Sequence, residues 1–274
     1  EFELRREEGL KAAAGRKLEP GPNPETWIDE GRWSVAHARL ALPASVAEIE
    51  RANRYFETVE WVGLWDGLVA DTDIQILYLL RTWLEFQNSD RLSGAARERL
   101  HRMIQEWETP NRDRNQRSES EYEWPGEYTE NHTLNILTAA YFQDVILGRD
   151  RTLRRELLRR FFHDRARWGW NEFYSASYVR YSIQPLLLLA DFAPDEEIRQ
   201  TAVMLLDLLV LDFTGHGLGW FRGVPFARGG ERGVNNRSNS LVELIRHWFG
   251  DPMPGATYEG PDGVVAALTS RYRP

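Results

Sequence analysis

Tyr128-Thr-Glu-Asn-His132 places a phenol, a carboxylate, a carboxamide and an imidazole side by side, immediately ahead of the apolar run from Leu134 to Leu147. If that run is a helix, these groups sit at its N-terminus, where unpaired N–H groups and the positive end of the helix dipole favour a bound anion or an ionised carboxylate. Glu130 and His132 then suit proton transfer, and Asn131 suits oxyanion-type stabilisation. The same residues also read as a cap, Thr129 or Asn131, followed by a buried His132.

A second cluster, Trp168-Gly-Trp-Asn-Glu-Phe-Tyr-Ser-Ala-Ser-Tyr178, enters the next apolar run. Flat faces such as Trp170 and Tyr174, next to Asn171, Glu172 and Tyr178, fit the stacking and hydrogen bonding that pyranose rings need. An aromatic plug between helices is the plainer reading of Trp168 and Trp170. A third cluster, from His216 to Arg232, is rich in glycine and arginine; Arg222 and Arg228 could grip a carboxylate or sulfate, or simply be solvated. It matches neither a Walker A loop nor a dinucleotide fingerprint. Asp66, Asp71 and Asp73 gather before another apolar run and read best as caps. The six histidines are scattered without HExxH or other ligand spacing, so neither a metal site nor a cofactor is expected, with a calcium ion on loop carboxylates left open. No GxSxG elbow is present. With no cysteine in the chain, disulfides, thiolate nucleophiles and cysteine-based zinc sites are excluded.

The elements that would position these clusters are helical. Amphipathic period, caps and tight turns predict helices at 44–58, 73–88, 94–108, 131–147, 151–167, 177–192, 195–213 and 239–249. Some are apolar nearly all round, such as Ile74 to Phe86, and should be inner helices; their successors carry one apolar stripe and should be outer. Turns from inner to outer helix are short, for example Asn88 to Ser93 and Gly148 to Arg151. The returns are long: Trp61 to Thr72, Pro110 to Glu130, Trp168 to Ala176 and Gly215 to Asn236. Side-by-side packing would bring every long return to one end, over the N-termini of the inner helices. That mouth is the expected site.

The fold class is therefore all-α: antiparallel helical hairpins over residues 43–274, preceded by an arm or wrap over 1–42, where Glu19-Pro-Gly-Pro-Asn-Pro24 breaks regular structure. A hydrophobic content of 42%, with 11 Trp, 10 Tyr and 12 Phe, supports a folded core. A net charge of -8 argues against nucleic acid as a partner, since phosphate binding rests on clustered cations. No apolar run reaches the length of a membrane span. Removal of a signal peptide would imply an extracellular or periplasmic location.

Tyr128-Thr-Glu-Asn-His132, Asp164-Arg-Ala-Arg-Trp-Gly-Trp-Asn-Glu-Phe173, Leu189-Ala-Asp-Phe-Ala193 and Leu206-Asp-Leu-Leu-Val-Leu-Asp212 together resemble bacterial proteins of the six-hairpin, (α/α)-toroid type over about residues 70–232. That resemblance implies a complete or incomplete toroid binding a polysaccharide or oligosaccharide across its mouth, as alginate- and heparinase-type lyases and six-hairpin glycosidases do. Asn131-His132 looks like the Asn-His pair of such lyases. Carried over, Asn131 would hold a uronate carboxylate, Arg222 or Arg228 would help neutralise it, and His132 or Tyr178 would take the C5 proton. Thr133-Leu-Asn135 stands where the lyase signature has an aromatic. The alternatives are an inverting glycoside hydrolase using Glu130 and Glu172, and a noncatalytic glycan-binding or scaffold protein. On any of these readings Tyr128, Trp170, Asn171, Tyr174 and His216 would line the substrate path.

Overall fold

The computed structural model describes residues 1–18, 28, 30–61, 64–65, 68–69, 72–108, 129–170, 179–215, 217–218, 221–222, 240–250 and 264–274. These form α1 (Phe2–Ala14), α2 (Glu30–Ala41), α3 (Val46–Thr58), α4 (Thr72–Phe86), α5 (Gly94–Glu106), α6 (Glu130–Ile146), α7 (Thr152–Trp168), α8 (Val179–Phe192), α9 (Glu196–Gly215), α10 (Ser240–Phe249) and α11 (Val265–Thr269). The strands are two-residue antiparallel pairs, β1 (Leu64–Trp65) with β2 (Leu68–Val69) and β3 (Gly217–Leu218) with β4 (Phe221–Arg222). No helix among the described residues is long and apolar enough to cross a membrane.

Burial divides the helices into the two expected kinds. In α2 every residue from Trp33 to Leu40 is buried, in α4 from Gln75 to Thr82, in α6 from Thr133 to Phe142 and in α8 from Ser182 to Leu189. The outer helices bury single stripes: Ala96, Leu100, Met103 and Ile104 in α5, and Ile198, Ala202, Leu205, Leu206, Leu209, Val210 and Phe213 in α9. Each fully buried large apolar side chain contributes about 1.5–3 kcal/mol, so these stripes fix which face of each outer helix turns inward. The inner helices pack on one another: α2 on α4, α4 on both α6 and α8, α6 on α8, α8 on α11, and α11 on α2. Of the outer helices, α3 lies on α2 and α5, α7 on α6 and α9, and α1 on α2, α10 and α11.

Local chemistry sets the ends. Ser45 and Glu48 form a reciprocal capping box at α3, and Ser93 accepts from Ala96 N at the start of α5. Gly148, at φ 65°, turns the chain between α6 and α7 in the left-handed region that glycine adopts without strain. Arginine forks close many C-terminal ends: Arg39 donates to the carbonyls of Ala14 (3.0 Å) and Arg16 (2.9 Å), and Arg5 to those of His247 (3.0 Å) and Trp248 (3.2 Å). The ends of α4 and α8 opposite the expected mouth are tied by a buried ion pair, Arg81 Nη1 to Asp191 Oδ2 at 2.5 Å.

The predicted helices from residue 44 to residue 249 recur within a few residues of their expected bounds, and the hairpin turns are as short as expected. Residues 1–42 differ from the reading as an arm or wrap in containing two helices, one of them, α2, in the buried layer. The reason is visible in the side chains. α2 buries His37 and Arg39 among its apolar residues, so its sequence lacks an unbroken apolar face. His37 satisfies both ring nitrogens internally, at 2.9 Å from Thr82 Oγ1 and 3.2 Å from Glu85 Oε2, while Trp33 Nε1 donates to the same Thr82 hydroxyl at 2.9 Å. α11 was also absent from the predicted helices, being too short to show a period.

His247, on α10, is buried against Phe2, and neither ring nitrogen has a well-formed hydrogen bond among the described residues. Burial, with Arg5 next in effect, pushes its pKa down to about 4. A folded-state value below the unfolded one means that the unfolded chain takes up the proton first, so this contribution is whole above pH 6.5 and shrinks as pH falls. Urea denaturation should therefore show a loss of about 1.5 kcal/mol between pH 6.5 and about 5 that His247→Phe flattens; equal slopes for the two proteins would refute the assignment.

Candidate functional site

The N-terminal ends of four inner helices meet. Arg180, at the start of α8, lies 3.2 Å from Glu30, at the start of α2. His132 Nδ1, in the first turn of α6, lies 2.7 Å from Asp73 Oδ2, in the first turn of α4. This is the end at which the long returns emerge, and the described part of it is strongly polar. Burial works against the charge of Arg180, yet Glu30 and the phenols of Tyr181 and Tyr78 hold its pKa above the usual arginine range.

Asp73 and His132 form the most chemically suggestive contact. Asp73 is buried and His132 half-buried, and the pair is separated by 59 positions in sequence. Asn135, one turn further along α6, lies beside Asp73. Pro185 in α8 has no N–H to give to the carbonyl of Tyr181 four residues earlier. With its nitrogen turned that way, the Asn135 amide donates to this carbonyl at 3.0 Å and to that of Asn131 at 3.2 Å. The opposite orientation would offer only a 3.3 Å bond to Asp73 Oδ2, so donation to two carbonyls is the better satisfied arrangement. An ionised Asp73 can only accept, so His132 Nδ1–H is the donor to Asp73 Oδ2. A carboxylate accepting from Nδ1–H fixes the ring and leaves Nε2 as the nitrogen able to take a proton.

Asn131 is 1% exposed, and its Oδ1 accepts from Thr129 Oγ1 while its Nδ2 has no partner among the described residues. A buried unsatisfied donor costs about 1–3 kcal/mol, which makes it a candidate for a bond completed by a ligand. Glu130 has a different role. Its Oε2 lies 2.5 Å from Arg165 Nη1, and both side chains are buried, so the ion pair fastens the start of α6 to the end of α7. Trp170 is half-buried, with its ring edge toward Phe161 at 6.1 Å, as the plug reading expects. Trp168 is instead 71% exposed, with Arg167 stacked 4.7 Å above its ring. Trp168 thus departs from the plug reading that covered both tryptophans.

Tyr128, Asn171, Glu172, Tyr174, Tyr178, His216 and Arg228 lie outside the described residues, as do Asp66 and Asp71; of Arg222 only the backbone, in β4, is described. Sequence reasoning missed Asp73 as a partner of His132, taking it for a cap, and missed Arg165, Asn135 and the Arg180–Glu30 pair. The usable signal for Asp73 was its place at the start of an inner helix, which puts it at the same end as His132. No group of three or more histidine or carboxylate side chains suited to a metal ion occurs among the described residues.

Removing one partner of the Glu130–Arg165 pair strands a buried charge. Arg165→Met should lower unfolding free energy by about 3–5 kcal/mol, and adding Glu130→Gln should recover part of that loss in urea titrations. Strictly additive effects would show that the pair is not coupled. Asn135→Ala should cost about 1–3 kcal/mol in the native chain but less in a Pro185→Ala background, where a helical N–H can serve the Tyr181 carbonyl. An unchanged cost would place the amide nitrogen on Asp73 instead.

In comparisons with known proteins, no family model, curated protein or solved structure matches this chain.

Proposed function

We propose that the chain is a carbohydrate-active enzyme, a polysaccharide lyase that cleaves a uronic-acid-containing glycan by β-elimination in the mouth of a toroid-like ring of helical hairpins. The observation that carries this reading is the 2.7 Å contact between His132 and Asp73. A histidine oriented by a buried carboxylate, at the convergent N-termini of inner helices, is equipped for general-base work. The contacts of α2 with α4, α4 with α6, α6 with α8, α8 with α11 and α11 with α2 are those a ring of hairpins needs, with α4 and α8 also touching across it.

In the proposed reaction His132 Nε2 takes the C5 proton of the uronate. The electron pair released from that C–H bond forms the C4=C5 double bond, the C4–O bond breaks, and the leaving oxygen takes a proton from a tyrosine phenol. Acidity at C5 depends on stabilising the carboxylate as charge builds on it, and the Asn131 amide nitrogen, without a partner among the described residues, is the donor for that task. Asp73 stabilises the imidazolium that forms. The hydrolase alternative needs Glu130 as a proton carrier, and its buried pairing with Arg165 speaks against that use.

The experiment is a screen of the purified chain against uronate-containing and neutral polysaccharides, following ultraviolet absorbance of unsaturated ends together with reducing ends. Unsaturation is the expected result; reducing ends without unsaturation would make it a hydrolase, and binding without either product a noncatalytic binder. On the substrate so found, His132→Ala should lower kcat about 10²–10⁴-fold with little change in glycan affinity. Asp73→Asn should act in the same direction while leaving the chain folded by circular dichroism. Normal turnover in both folded variants would end the proposed mechanism.

A further inference from the structure

A cavity of about 510 Å³ lies at the other end of the inner helices, lined by Glu3 and Arg6 of α1, Leu84 and Glu85 of α4, Asp191 and Phe192 of α8, and Thr269, Ser270, Arg271 and Arg273. Along α4, Glu85 stands roughly 18 Å from Asp73, so the cavity is separate from the mouth. Its volume falls within the range of small-molecule sites.

The charges around it are unevenly satisfied. On the floor, Asp191 takes Arg81 at 2.5 Å and the Arg271 backbone N–H at 2.9 Å. Glu85 takes His37 at 3.2 Å and Arg81 at 3.3 Å, and these partners hold its pKa below the usual carboxylate range despite the opposing effect of burial. Glu3 at the rim pairs with both Arg6 and Arg273. Each carboxylate of the cavity thus has a cation already. The Arg271 guanidinium has no carboxylate partner among the described residues and lies over the Phe192 ring at 6.0 Å, with Leu84 continuing the apolar wall.

We propose that this cavity binds a small organic carboxylate, with its anionic group on the Arg271 fork and its apolar body against Phe192 and Leu84. Arginine suits the task because its planar donors meet a carboxylate in pairs, and the neutralised floor removes the repulsion that Glu85 and Asp191 would otherwise exert. The proposal does not depend on the activity assigned to the mouth.

Benzoate is a fitting probe, titrated into the full chain by calorimetry, with tetramethylammonium as the probe of opposite charge. Saturable binding of benzoate alone is expected. Arg271→Ala, a change at an exposed side chain, should weaken it at least about ten-fold, and Arg271→Lys should weaken it less. Because a carboxylate could also enter the mouth, the titration is repeated on His132→Ala and Asn131→Ala, where affinity should be unchanged. Absence of saturable binding, equal binding of tetramethylammonium, affinity indifferent to Arg271, or affinity lost with the mouth variants would each overturn the proposal.

Discussion

α2, α4, α6 and α8 are buried along most of their length, so the polar groups at their two ends cannot rely on water alone. A helix leaves four N–H groups and four carbonyls unpaired at its termini, and burial makes each of them costly to neglect. Much of the polar organisation of this protein answers that constraint. At the N-terminal ends acidic side chains gather, Glu30, Asp73 and Glu130, which the helix dipoles favour and which then recruit Arg180, His132 and Arg165 from neighbouring helices. At the opposite ends of α4 and α8 the tie is Arg81 to Asp191. The polar groups at the N-terminal ends are thus a product of the way the inner helices are held together.

Arginine does most of this joining. Lys11 and Lys17 are the only lysines among the 34 Lys and Arg residues of the chain. Besides Arg5 and Arg39, the Arg91 guanidinium donates to the carbonyls of Arg39 and Leu42, Arg97 to those of Ser89 and Leu92, and Arg99 twice to that of Val59. A rigid fork can serve two carbonyls at the end of a helix, whereas an ammonium offers a compact point charge. The arginine bias in the sequence thus reflects helix ends and hairpin turns as well as charge.

Hairpins were legible because apolar-all-round helices alternate with single-stripe helices, and that alternation survives in composition alone. Side-chain partnerships were not. Asp73 and His132 are distant in sequence, as are Glu130 and Arg165, and nothing local distinguishes a capping carboxylate from one that orients an imidazole. Trp168 and Trp170 show the same limit at close range: two positions apart, one stacks on a surface arginine and the other meets Phe161 in the core, because Gly169, at φ 72°, redirects the chain between them. α2 escaped notice because its buried face includes a histidine and an arginine whose partners lie on α4 and beyond α1.

The packing of α11 on α2 and α1 joins segments from opposite ends of the sequence, whereas each hairpin joins neighbours. Loop closure of that span is entropically the most demanding step, and contacts between distant segments slow folding. The hairpins can therefore form early as local units, but the contacts of α11 with α8, α2 and α1 form only when the two ends of the chain come together. The order has an asymmetric result. Asp73, His132, Glu130 and Arg165 belong to α4, α6 and α7 and can assemble before closure, while the cavity containing Arg6 and Arg271 comes into being only with it.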